Sequence, residues 1–130
     1  MQLEISELES RLIPVNQLLL KGKNNKAIKY LNKLLDQDPS NDQAWLLLGI
    51  AKRRIGKLDE SLKCFTAAVE LNNGLLEAWG LLTITYLDKG YRQLAEQTIE
   101  KAVVLNPQEE KFEFYRENLI RVYEKFGPFF

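Results

Sequence analysis

The sequence repeats itself at a fixed interval. Trp45, Leu48, Ile50, Gly56, Ala68 and Leu71 return as Trp79, Leu82, Ile84, Gly90, Ala102 and Leu105, each 34 residues later. A constant period of this length restricts a chain to a stack of like units, because one unit cannot bury its apolar face alone. Inside each unit the apolar residues recur at helical spacing, and no window alternates apolar with polar as a strand would. The pattern predicts an all-α chain whose units complete one another's cores.

Taken in order, residues 1–20 place Leu3, Ile5, Leu8, Leu12, Ile13, Leu18, Leu19 and Leu20 at helical spacing. Pro14 removes a backbone donor and crowds the preceding turn, which predicts a kink near Ile13 or two short helices. Gly22 marks a turn. Asn25–Gln37 reads as a helix stopped by Asp38-Pro39, since the residue before proline is pushed out of helical geometry. Asp42–Ile55 follows, capped by Asn41 or Asp42 and ended at Gly56. The remaining expected helices are Leu58–Leu71, Leu75–Lys89, Tyr91–Leu105 and Gln108–Phe126, the last broken by Gly127-Pro128 before an apolar Phe129-Phe130 tail. Short loops inside each pair predict antiparallel hairpins.

Chemistry is scarce. There is no histidine, which removes the commonest general base and most zinc sites. The glycines are isolated at turns rather than gathered in a phosphate-cradling loop. Cys64, the single cysteine, has no internal disulfide partner, and it is expected on an outer helix face as an ordinary surface or semi-buried thiol. No metal, cofactor or catalytic residue is expected. Acid pairs such as Asp59-Glu60 and Glu109-Glu110 fall at helix starts, where the dipole favours them. Eighteen Lys plus Arg balance eighteen Asp plus Glu, so no whole-molecule attraction to nucleic acid or an anionic membrane is expected. The start of the chain lacks a signal-like pattern, and the longest apolar run, Trp45–Ala51, is far short of the roughly 20 residues a membrane span needs. A cytoplasmic protein is the expectation.

Residues 42–75 resemble a tetratricopeptide repeat through Trp45, Leu48, Gly49, Gly56, Phe65 and Ala68, with Ser61 where Ala is usual and Asn73 where Pro is usual. Residues 76–109 resemble it through Trp79, Leu82, Tyr86, Gly90, Ala95, Ile99, Ala102 and Pro107, with Thr83 at the small position. Residues 8–41 match in their second half only, at Gly22, Ala27, Leu31 and Pro39. The resemblance implies one domain over 1–130: a right-handed α-solenoid of three hairpins plus a capping helix at 110–126.

It also implies a concave face made by the first helix of each hairpin. Carried over position by position, that face holds Leu12, Asn16, Leu19 and Leu20, then Leu46, Ile50, Arg53 and Arg54, then Gly80, Ile84 and Leu87, and finally Phe114 and Asn118. The family's carboxylate clamp for chaperone tails is not expected, because Leu12, Gly80 and Ile84 replace its basic residues even though Asn16 remains. The expected function is a non-enzymatic scaffold, of adaptor or assembly-factor type, that holds an apolar or amphipathic segment of a partner protein in this groove. Three alternatives stand beside it. The strip is covered by the chain itself, through the N-terminal helix or the Phe129-Phe130 tail. It serves self-association. Or the basic stretches Lys21, Lys23, Lys26, Lys29, Lys33 and Lys52, Arg53, Arg54, Lys57 meet RNA or an acidic partner, with the RNA version weakened by the lack of interleaved aromatics.

Overall fold

The computed structural model describes the backbone of residues 2–127 and the side chains of residues 11–127. Among these residues there are seven helices and no strand: α1 (Gln2–Leu20), α2 (Asn24–Gln37), α3 (Asp42–Arg54), α4 (Leu58–Leu71), α5 (Leu76–Asp88), α6 (Arg92–Leu105) and α7 (Glu110–Phe126). Pro14 lies inside α1, which is one helix rather than two. Its neighbours Val15 and Leu19 are buried against α2 and α3, and that packing holds the segment helical despite the lost hydrogen bond.

Two turn designs alternate. Within hairpins, α1, α3 and α5 end at Gly22, Gly56 and Gly90, with φ of 72°, 82° and 80°. Each glycine amide donates three residues back, at 3.0 Å, and the next amide reaches five residues back: Lys23 to Leu18, Lys57 to Lys52, Tyr91 to Tyr86, at 2.8–2.9 Å. These bonds satisfy the last helical carbonyls and reverse the chain, and the positive φ explains the glycine. Between hairpins, Asn41, Leu75 and Glu109 donate to Asp38, Asn72 and Asn106. The same turn therefore admits α3, α5 and α7, so α7 enters as the first helix of a hairpin does. Of the two expected caps, Asn41 is the one used: its side chain accepts from the Ala44 amide at 3.0 Å.

The two tryptophans occupy equivalent places. Trp45 Nε1 donates to the Pro39 carbonyl and Trp79 Nε1 to the Asn73 carbonyl, both at 2.8 Å and both six residues back. Each indole thereby pins the loop that precedes its own helix while its ring enters the interior. The core has two parts. One gathers Val15, Leu31, Ala44, Leu48 and Cys64; the other gathers Leu46, Phe65, Trp79, Ile99 and Phe112, and Trp45 packs against both. Consecutive helices pack together, and α1, α3, α5 and α7 also meet one another in turn. No comparable approach joins α2 to α4 or α4 to α6 among the described residues. The inner row of helices is closed and the outer row is open.

Candidate functional site

The inner row is fastened along one edge. Arg54 Nη1 donates to the Leu19 carbonyl at 2.9 Å, tying α3 to the end of α1. Arg53 donates through Nε and Nη2 to one oxygen of Asp88, at 2.9 and 2.6 Å, tying α3 to α5. The other Asp88 oxygen accepts the Tyr123 hydroxyl at 2.6 Å, tying α5 to α7. Burial, then this hydrogen bond, pushes the Tyr123 phenol up to about 12. The Arg53 and Asp88 side chains are only 8% and 15% exposed, so this pair is shielded from water far better than an ordinary surface pair. Arg53 and Arg54, expected as borders of the groove, are thus engaged within the chain.

The expected groove residues divide into two groups. Leu19, Leu46 and Ile84 are buried, at 7%, 2% and 3% exposure, as part of the chain's own interior. Gly80, expected on the open face, is buried too. A Cβ built there would stand 2.7 Å from Cε2 of Tyr115, so the ring of α7 lies directly over it. Burial raises the Tyr115 hydroxyl above its ordinary pKa. On the other side of the division, Ile50 and Leu87 are half-buried, Asn16 and Arg54 are exposed, and Phe114 is 64% exposed. Asn118 is half-buried; its amide donates to the Phe114 carbonyl at 2.9 Å and its oxygen accepts from Arg121 at 2.5 Å. At Gly80 the cover comes from α7, through Tyr115. The Phe129-Phe130 tail considered as a cover lies outside the described residues.

The outer row holds a feature that the sequence reading missed. Where α2 and α4 stand apart, a groove of about 550 Å³ opens over Trp45, Leu48 and Lys52, walled by Leu35, Glu60, Lys63 and Cys64. Where α4 and α6 stand apart, a second of about 450 Å³ opens over Trp79, Leu82 and Tyr86, walled by Val69, Leu94, Gln97 and Thr98. The two are the same site one repeat apart: these positions correspond at 34 residues' distance. Their chemistry differs. In the first, Lys52 Nζ meets Glu60 at 2.8 Å; in the second, Tyr86 and Leu94 stand at those positions, and the charged residues of the wall are Glu70 and Lys101 instead. The signal was present in the 34-residue register, once every position and not only the conserved-looking ones is compared. Cys64, expected on an outer face, is 3% exposed at the wall of the first groove, and burial pushes its thiol up to about 11. Such a thiol is protonated at neutral pH and a poor nucleophile.

Comparison with known proteins agrees with this geometry. Residues 9–123 match the family described as "Psidin, N-terminal TPR repeats region". The chain is 27% identical over 99 residues to anaphase-promoting complex subunit 3 of Schizosaccharomyces pombe, covering 76% of this chain and 15% of that protein. It spans only 10–15% of the length of the curated relatives it matches. Among solved structures, the translocator chaperone SycD of Yersinia enterocolitica type III secretion superposes with a TM-score of 0.76 at 19% identity, covering 91% of this chain and 88% of that one. The first TPR of Spaghetti (RPAP3), bound to an HSP90 peptide, superposes with a TM-score of 0.72 at 18% identity, covering 92% and 94%. The repeated turns, the paired tryptophan pockets and the match over residues 9–123 together establish that this chain belongs to the tetratricopeptide-repeat family.

Proposed function

We propose that the chain is a non-enzymatic protein-binding scaffold that holds a short apolar or amphipathic segment of a partner protein along the face of α1, α3, α5 and α7. Asn16, Ile50, Leu87, Phe114 and Asn118 are the contacts, and Leu19, Leu46 and Ile84 are the floor that fixes their spacing. The observation that carries the reading is the row of α1, α3, α5 and α7 itself, which leaves Ile50 and Leu87 half-buried beside the exposed Asn16 and Phe114. Apolar side chains left partly in water along such a row are the contacts that a partner's apolar segment would cover. Support comes also from RPAP3, a protein of the same fold that binds a peptide.

The test is direct. A partner captured by cross-linking in native cells is purified, and its affinity is measured by calorimetry against Ile50→Asp, Leu87→Asp and Phe114→Asp. Leu87 and Phe114 lie outside both core clusters, so their variants keep the circular dichroism spectrum and binding falls by about tenfold or more; Ile50 packs against the core, and its variant counts only where its spectrum matches the wild type. Unchanged affinity in all three variants overturns the reading. Self-association through the same face is decided by sedimentation equilibrium of the wild type and Phe114→Asp.

A further inference from the structure

The chain's charges balance in number and not in placement. Lys52, Arg53, Lys57, Lys89, Arg92 and Arg116 all form ion pairs within the chain. Lys21, Lys23, Lys26, Lys29 and Lys33 are all exposed and form none among the described residues. Lys23, at the cap of α2, and Lys26, Lys29 and Lys33 within it recur every three or four residues, away from the buried Ala27, Leu31, Leu34 and Leu35. At 1.5 Å rise per residue they form a stripe about 15 Å long.

A second observation points the same way. The first turns of α3, α4, α5 and α7 each carry at least one acid; those of α2 and α6 carry none, but α6 has Glu96 and Glu100 further along where α2 has Lys26, Lys29 and Lys33. The positive end of the α2 dipole therefore adds to Lys23 and Lys26 instead of being met. Like charges one turn apart also repel, and an anion laid across them relieves that repulsion. Asp36 and Asp38 lie beyond Lys33, so the stripe has a direction, most positive at the start of α2.

We propose that the outer face of α2 is a docking surface for an acidic segment of a partner protein, with three or four carboxylates laid along the stripe. The chemistry selects protein over the other polyanions. The stripe itself is all lysine, and Arg11, the guanidinium that shares a pocket with Tyr30 and Lys33, is already engaged within the chain, so no free fork is left to grip a phosphate in two places. No aromatic side chain of α2 is exposed for a base to stack on, Tyr30 being half-buried. No large apolar side chain of α2 is exposed to enter a bilayer. The site is separate from the proposed inner face, and its fate is independent of that reading.

The test uses the whole chain and three fluorescent probes read by anisotropy at about 50 mM salt, where surface attraction is little screened. The probes are an eight-residue peptide of alternating Glu and Ser, an eight-nucleotide oligouridylate, and phosphatidylserine-containing vesicles. The Glu peptide binds most tightly, and its affinity falls by about tenfold in the triple variant Lys26→Glu, Lys29→Glu, Lys33→Glu. The control triple Lys63→Glu, Lys101→Glu, Lys111→Glu, at dispersed unpaired lysines, changes it less than about twofold. Ile50→Asp, which tests the inner face, leaves it unchanged. The proposal is overturned if the peptide does not bind, if the two triples weaken it equally, or if the oligouridylate or the vesicles bind more tightly.

Discussion

Gly49 and Gly80 each let an aromatic ring come close, with unequal room to spare. A Cβ on Gly49 would stand 2.5 Å from Cε1 of Phe65, a ring with no exposure at all. A Cβ on Gly80 would meet the ring of Tyr115, which is half-buried and can swing outward. Alanine gains about 1 kcal/mol of helix propensity at either site. Overpacking costs about 1–3 kcal/mol where nothing can yield. Gly49→Ala should therefore destabilise the chain in urea titration and Gly80→Ala should be close to neutral; the reverse order would mean that Phe65 is the more mobile ring. Cys64 offers a second check at this scale. Its thiol, pushed up to about 11 by burial, should react with iodoacetamide at pH 8 far more slowly in the native chain than in urea. Leu46 and Ile84 were legible as apolar positions on inner helices, but helical periodicity states which face is greasy, not whether a neighbour covers it. The burial of Leu46 depends on α5 arriving from 30 and more residues away.

Single helices show where local rules hold and where packing overrides them. The glycine stops and the start of α3 were readable because their causes are local: positive φ at Gly22, Gly56 and Gly90, and one side chain at Asn41. Asn41→Ala should cost about 1 kcal/mol, measured by denaturant unfolding. The continuity of α1 through Pro14 was not readable, because it rests on Val15 and Leu19 finding partners in other helices. The hold on α7 is likewise tertiary. Tyr123→Phe deletes its hydrogen bond to Asp88 and should cost about 1 kcal/mol at neutral pH. The sign with pH follows from the raised phenol. Its contribution is intact below the ordinary tyrosine value near 10 and is lost as pH climbs through about 12. The stability gap between wild type and Tyr123→Phe should therefore be constant through neutral pH and close between 10 and 12. A gap that widened with pH would show that the phenolate is tolerated beside Asp88.

At the scale of the whole molecule, the period decided the architecture because every unit needs its neighbour. Trp79 is 3% exposed inside one core cluster, and Trp79→Ala should cost about 3–5 kcal/mol. Trp45 packs against both clusters, so Trp45→Ala should also loosen one from the other and make the urea transition less steep. A transition as steep as that of the wild type would mean that the remaining contacts couple the halves.

The turns and the tryptophan pockets are interchangeable between hairpins; the fasteners along the inner edge are not. Arg54 of the second hairpin offers a donor to the first, and Asp88 of the third offers acceptors to the second and to α7. Were the second and third hairpins exchanged, Asp88 would be brought toward the Leu19 carbonyl, and two oxygens would confront each other with no proton between them. The succession of the units is thus encoded in polarity, like keyed bricks whose outlines agree but whose studs fit only one way round.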